Sequence, residues 1–163
     1  MEWREVVEHP SLQDLPFKIE TNEWGEIVMT PATGTHGIYQ SLINECFVKL
    51  KEKGSRSVIE CPIQTSEGTK VADVAWGSAA FFKKHGFRVI SFTESPEIVV
   101  EVKSPSNSLK RIEGKKQLYF EAGAKEVWFC DEDGEMHFFS LQGKLKRSEL
   151  FKEFPERIEL DLM

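Results

Sequence analysis

The stretch EIVVEVKS (97–104) decides the fold. Ile98, Val99, Val100 and Val102 make a β-branched run of the kind found in a strand covered on both faces. Alternate side chains share a face, so Val99, Glu101 and Lys103 point one way and Ile98, Val100 and Val102 the other. A glutamate and a lysine are costly on such a strand unless they are paired or bind something. Pro105 closes the run.

Outward from this strand, periods of two and of 3.6 alternate. Downstream, Asn107 or Ser108 is expected to cap a helix running through Ala122, with Gly123 as its stop. EVWFCD (126–131) and EMHFFS (135–140) then read as a hairpin around Asp131-Glu132-Asp133-Gly134. Upstream, SVIEC (57–61) and KVADVAW (70–76) read as strands joined near Glu67-Gly68, and SAAFFKKHG (78–86) as a helical turn and loop. Ile38, Leu42, Ile43, Cys46, Phe47 and Leu50 recur at helical spacing, predicting a helix over 36–53 that Thr33 or Thr35 caps and Gly54 ends. FKIE (17–20) and EIVM (26–29) flank a first hairpin, after an irregular lead-in over 1–16. The order ββ–α–ββ–β–α–ββ predicts an α/β (α+β) fold: one domain over 1–163, with a mixed β-sheet flanked by helices.

At 163 residues the chain suits one ordinary domain, and 40% hydrophobic with 29% charged residues is a globular mixture. No apolar run reaches the roughly 18–20 residues that span a bilayer, and the three separated cysteines make neither a disulfide framework nor a CxxC metal pair. A cytoplasmic protein without membrane association is the expectation. The net charge of −6 is unevenly spread. Residues 1–26 hold seven acids and two bases, residues 149–163 five and two, and the 122 between them 15 acids and 17 bases. The middle is mildly basic, which leaves room for an anion-binding surface.

Asp73, set among Val71, Val74 and Ala75, is the second charged group on an apolar strand. If the strands are neighbours, Asp73 and Glu101 meet, with Lys103 beside them. Two carboxylates suit a hard cation, Mg²⁺ or Mn²⁺, that activates water against a phosphodiester, and a lysine stabilises the phosphoryl charge. A plain ion pair holding the strands in register explains the same spacing about equally well.

Asp73 followed 28 residues later by Glu101-Val102-Lys103 resembles the D…(D/E)-x-K signature of the PD-(D/E)XK nuclease superfamily. GEIVMTPATGTHG (25–37), VADVAW (71–76), SPEIVVEVKSPSN (95–107) and KKQLYFEAGAKEVWFCD (115–131) stand in the order seen in the Uma-like family of bacterial putative restriction endonucleases. This resemblance covers roughly 17–140 and implies a restriction-endonuclease-like core in which Asp73 and Glu101 hold the metal. Three positions depart from the family pattern. Ala72 replaces a usual proline, Lys103 stands where the family is often apolar, and Arg111 replaces a common aspartate. The family's recurrent lysine precedes the helix tyrosine by four, which here is Lys115 before Tyr119. Lys103 and Lys115 are thus both candidate catalytic lysines, and Lys103 is favoured for its strand position beside Glu101.

His36 falls where the family has a histidine and is a candidate substrate contact, as are Lys110, Arg111 and Lys116, which cluster after the site. Glu20 and Glu45 are further carboxylate candidates, although Glu45 lies well off the centre of its helix's apolar stripe. Asp131–Gly134 reads as a turn, and His9, His85 and His137 lack zinc spacing. The expected function is a Mg²⁺-dependent DNA endonuclease, a homodimer needing no organic cofactor. The alternatives are a non-catalytic DNA- or partner-binding module on the same fold, and an enzyme acting on RNA.

Overall fold

The computed structural model describes residues 1–50, 52–104 and 108–161. A six-stranded mixed sheet carries the fold, in the order β3 (Arg56–Thr65), β4 (Gly68–Gly77), β5 (Ile98–Val102), β6 (Glu126–Cys130), β7 (Met136–Ser140), β8 (Gly143–Leu145). Only β5 and β6 run parallel, because helix α4 (Leu109–Glu121) carries the chain back between them. The first hairpin, β1 (Phe17–Thr21) and β2 (Ile27–Pro31), forms a separate two-stranded sheet, and β1 packs against β4. The lead-in is more regular than its sequence suggests, with helix α1 (Trp3–Glu8) and a 3₁₀ turn at Pro10–Leu12.

Helix α2 (Gly34–Leu50) begins two residues before the predicted start, with Thr33 Oγ1 accepting the His36 amide at 3.1 Å. Its predicted last turn includes residue 51, which lies outside the described residues. Tyr39, Ile43 and Phe47, four apart, bury one helical stripe against Val74, Val100, Trp128 and Phe138. Phe151, Phe154 and Ile158 of the last segment complete this core. The other face carries α4 and α3 (Ala79–His85), with Ile112, Tyr119, Phe81 and Phe82 on Val99, Val127 and Phe129. The alternation of Trp128 and Phe138 with Phe129 and Phe139 is therefore two-sided core packing. Ser108 Oγ caps α4 through the Arg111 amide at 3.2 Å, whereas Pro105 and Asn107 lie outside the described residues.

Two local features shape the site. Strand β5 ends at Val102, short of the predicted 104. Its antiparallel ladder with β4 covers only Trp76↔Ile98, Ala75↔Val99 and Val74↔Val100, so the strands part at Asp73 and Glu101. Gly68, at φ +89°, opens β4 beneath the first hairpin. A Cβ there would strike the backbone of Thr21 and Asn22, so only glycine lets the two sheets close on each other.

Candidate active site

Where β4 and β5 part, side chains take over from the ladder. The Val102 amide donates to Asp73 Oδ2 at 2.7 Å, so the carboxylate replaces a strand carbonyl and is fixed by backbone. Asp73 Oδ1 accepts from Lys18 Nζ at 2.9 Å, and the same ammonium reaches Glu101 Oε2 at 3.3 Å. Glu101 Oε1 accepts from Tyr119 Oη at 2.6 Å and from Lys115 Nζ at 3.4 Å. Lys115 also donates to Glu20 Oε2 at 2.8 Å, and that oxygen accepts the Val71 amide at 2.7 Å. His36 Nε2 stands 3.2 Å from Asp73 Oδ2. Five elements (β1, α2, β4, β5 and α4) thus converge on one buried charged cluster.

Burial and pairing pull each carboxylate in opposite directions. Burial pushes Asp73 up, but Lys18 and His36 outweigh it and hold the acid well below the ordinary range. Glu20 likewise ends low, through Lys115, Lys18 and the Val71 amide. Glu101 is the exception. Complete burial, with the negative charges of Asp73 and Glu20, outweighs Lys115 and Lys18 and raises it. Burial also disfavours charge on Lys18, yet Glu101 and Asp73 more than compensate and keep the ammonium charged. Tyr119 is driven up by burial and by Glu101, so it stays a neutral donor.

Asp73, Glu101, Glu20, Lys115 and His36 are therefore brought together. Lys103 is not. It shares a sheet face with Glu101, as alternation predicts, but lies beyond the end of β5, where its amide donates to Cys130 O and its Nζ pairs with exposed Glu132 at 3.1 Å. The expectation that strand position alone sets Lys103 beside Glu101 is corrected, because the chain there follows β6 and not β4. Arg111 turns to Thr30 on β2, and Lys116 to Glu113 and the Phe139 ring, while Lys110 is exposed. The four basic residues of α4 are split around the helix and do not form one face. Glu45 pairs with Lys49 on the solvated flank of α2, away from the cluster.

Lys18 and Tyr119 entered no sequence-based site. Two signals were available: Lys18 shares a strand face with Glu20 at i−2, and Tyr119 follows Lys115 by one helical turn. Among the described residues, no three His, Cys, Asp or Glu side chains form a ready metal cage, since lysines stand between the acids. No helix of the described residues is long and apolar enough to cross a membrane.

A family model, Uma2, described as "Putative restriction endonuclease", matches residues 10–163. The fold is similar to the crystal structure, at 1.96 Å resolution, of a putative nuclease belonging to DUF820 from Anabaena variabilis ATCC 29413. The TM-score is 0.66 at 18% identity, over 87% of this chain and 80% of that one. None of the curated proteins matches the chain.

Proposed function

This chain belongs to the Uma2 family, described as putative restriction endonucleases, and on that premise we propose that it is a metal-dependent endonuclease hydrolysing DNA phosphodiester bonds. The observation that carries this reading is the single ammonium nitrogen touching both Asp73 and Glu101, which marks one cation position between two carboxylates from parting strands. Buried, anionic, all-oxygen donors fit Mg²⁺ or Mn²⁺, with Asp73 and Glu101 as ligands and Glu20 as the nearby third acid. The chemistry such an ion supplies is polarisation of the phosphoryl group and activation of water.

The rest falls to the chain's own residues. Lys115, held between Glu20 and Glu101, orients the attacking water or neutralises charge on the transferring phosphate. Tyr119 fixes the Glu101 carboxylate and His36 that of Asp73. Exposed Lys110, on the first turn of α4, is the residue we assign to a backbone phosphate, while Arg111 is engaged with Thr30. Lys103 has no part in this reading. Cutting both strands of a duplex calls for two such sites, hence a homodimer, acting in the cytoplasm.

The test is cleavage of supercoiled and linear duplex DNA, with RNA alongside, in Mg²⁺, Mn²⁺ or EDTA. Metal-dependent DNA cleavage that Asp73→Asn and Glu101→Gln each abolish is the expected result. Cleavage that survives EDTA or both substitutions overturns it. A second reading, a binding module on the same fold, draws on the full pairing of all three carboxylates. DNA affinity without cleavage in any metal would establish that reading instead.

A further inference from the structure

Lys18 and Lys115 look equivalent, each spanning two acids with its side chain 12–13% exposed. Their placement differs. Lys115 bridges Glu20 and Glu101 from helix α4 and leaves Asp73 untouched. Lys18 bridges Asp73 and Glu101, the pair that would ligate the ion, and it comes from the separate two-stranded sheet. An ammonium between those two carboxylates stands in the cation position itself.

Charge decides whether both cations can stay. Counted with all three acids ionised and His36 neutral, Glu20, Asp73 and Glu101 against Lys18 and Lys115 leave one net negative charge. Exchanging Lys18 for a divalent ion brings these groups to neutrality, whereas adding the ion with Lys18 in place makes them positive. A flexible, strongly hydrated ammonium can withdraw, and it has somewhere to go. Lys18, His36, Gln40, Glu60 and Asp73 line a cavity of about 270 Å³, where exposed Glu60 offers another carboxylate.

We propose that Lys18 is a tethered cation that holds the Asp73–Glu101 position until a divalent ion displaces it, and so sets the metal concentration at which the site loads. This rests on the metal-dependent reading above. An internal occupant lowers apparent affinity by the fraction of time the site is open. Removing the charge while keeping the stem, as in Lys18→Met, should tighten Mn²⁺ binding by the reciprocal of the open fraction, about tenfold for an open fraction of about a tenth.

Mn²⁺ binding is read by titration calorimetry on wild type, Lys18→Met and Asp73→Asn. The expected result is tighter binding by Lys18→Met and none by Asp73→Asn. A second measurement uses the wild type alone, in case Lys18→Met does not fold. Lys18 should resist an amine-acylating reagent in EDTA and be acylated faster at saturating Mn²⁺, read by mass spectrometry. Equal or weaker binding by folded Lys18→Met, or unchanged Lys18 acylation in Mn²⁺-saturated wild type, overturns the proposal and leaves the nuclease reading standing. No Mn²⁺ binding by either wild type or Lys18→Met removes the metal site, and the proposal falls with it.

Discussion

His36 meets Asp73 at 3.2 Å and His137 meets Asp131 at 2.9 Å, and each pair has a lysine and a further carboxylate beside it. The Asp73 side chain is 1% exposed and its partners come from residues 18, 36 and 102. The Asp131 side chain is 31% exposed, and its partners Asp133, Glu135 and His137 sit on the same hairpin. Local geometry accounts fully for the second group, as the Asp-Gly turn of a hairpin. The first group is assembled from distant segments, at the desolvation cost that any buried charge carries. Similar residues thus make a turn in one place and a candidate site in the other, and burial with long-range convergence is what separates them.

The largest expected difference is between the two lysines in these regions. Lys115→Ala leaves Glu20 and Glu101 short of a partner inside the protein and should destabilise by about 3–5 kcal/mol in metal-free denaturant unfolding. Its cleavage rate should fall about 10²–10³-fold. Lys103→Ala breaks a partly exposed pair with Glu132, so about 0–1 kcal/mol and cleavage within a factor of about two are expected. If those phenotypes are exchanged, the two regions have been assigned the wrong way round.

Acid unfolding sharpens the comparison next. Pairing with Lys18 and His36 overcomes burial to depress Asp73, so its stabilisation is complete above the unfolded value near pH 4 and is lost as pH falls. The same sign holds for Asp131, where His137 and the turn amides overcome burial. Glu101, raised mainly by burial, has the opposite sign and partly offsets Asp73. Asp73→Asn in EDTA should therefore flatten the stability–pH curve below about pH 4 clearly more than Asp131→Asn does. Equal flattening would mean that burial does not distinguish the pairs. The smallest effect belongs to Glu45→Gln, which removes an exposed i,i+4 pair with Lys49. It should change stability by about 0.3–0.5 kcal/mol and leave cleavage as it was.

Much of this architecture is legible in the chain. The β-branched run at 98–102, the helical stripe through Ile43 and Phe47, and the turn at 131–134 report backbone periods of two and 3.6, although the stripe's first buried residue is Tyr39 and the predicted Ile38 is exposed. Such periods follow from local hydrogen bonding and from which face must leave water. The meeting of Asp73 and Glu101 was also within reach, because both lie on apolar strands and a charge there needs a partner.

Which of the lysines answer those acids was settled by packing. Lys18 sits on a hairpin that belongs to another sheet, and no spacing rule ties it to residues 73 and 101. Lys115 reaches Glu101 because α4 crosses over β5, while Lys103, two residues away in sequence, follows β6 toward Glu132. The main strands, the two long helices and the choice of Asp73 and Glu101 were readable along the chain, since each rests on a local apolar pattern. The tertiary structure separated Lys115 from Lys103 and brought in Lys18, because a long, flexible side chain goes to whichever buried charge the packed elements bring within its reach.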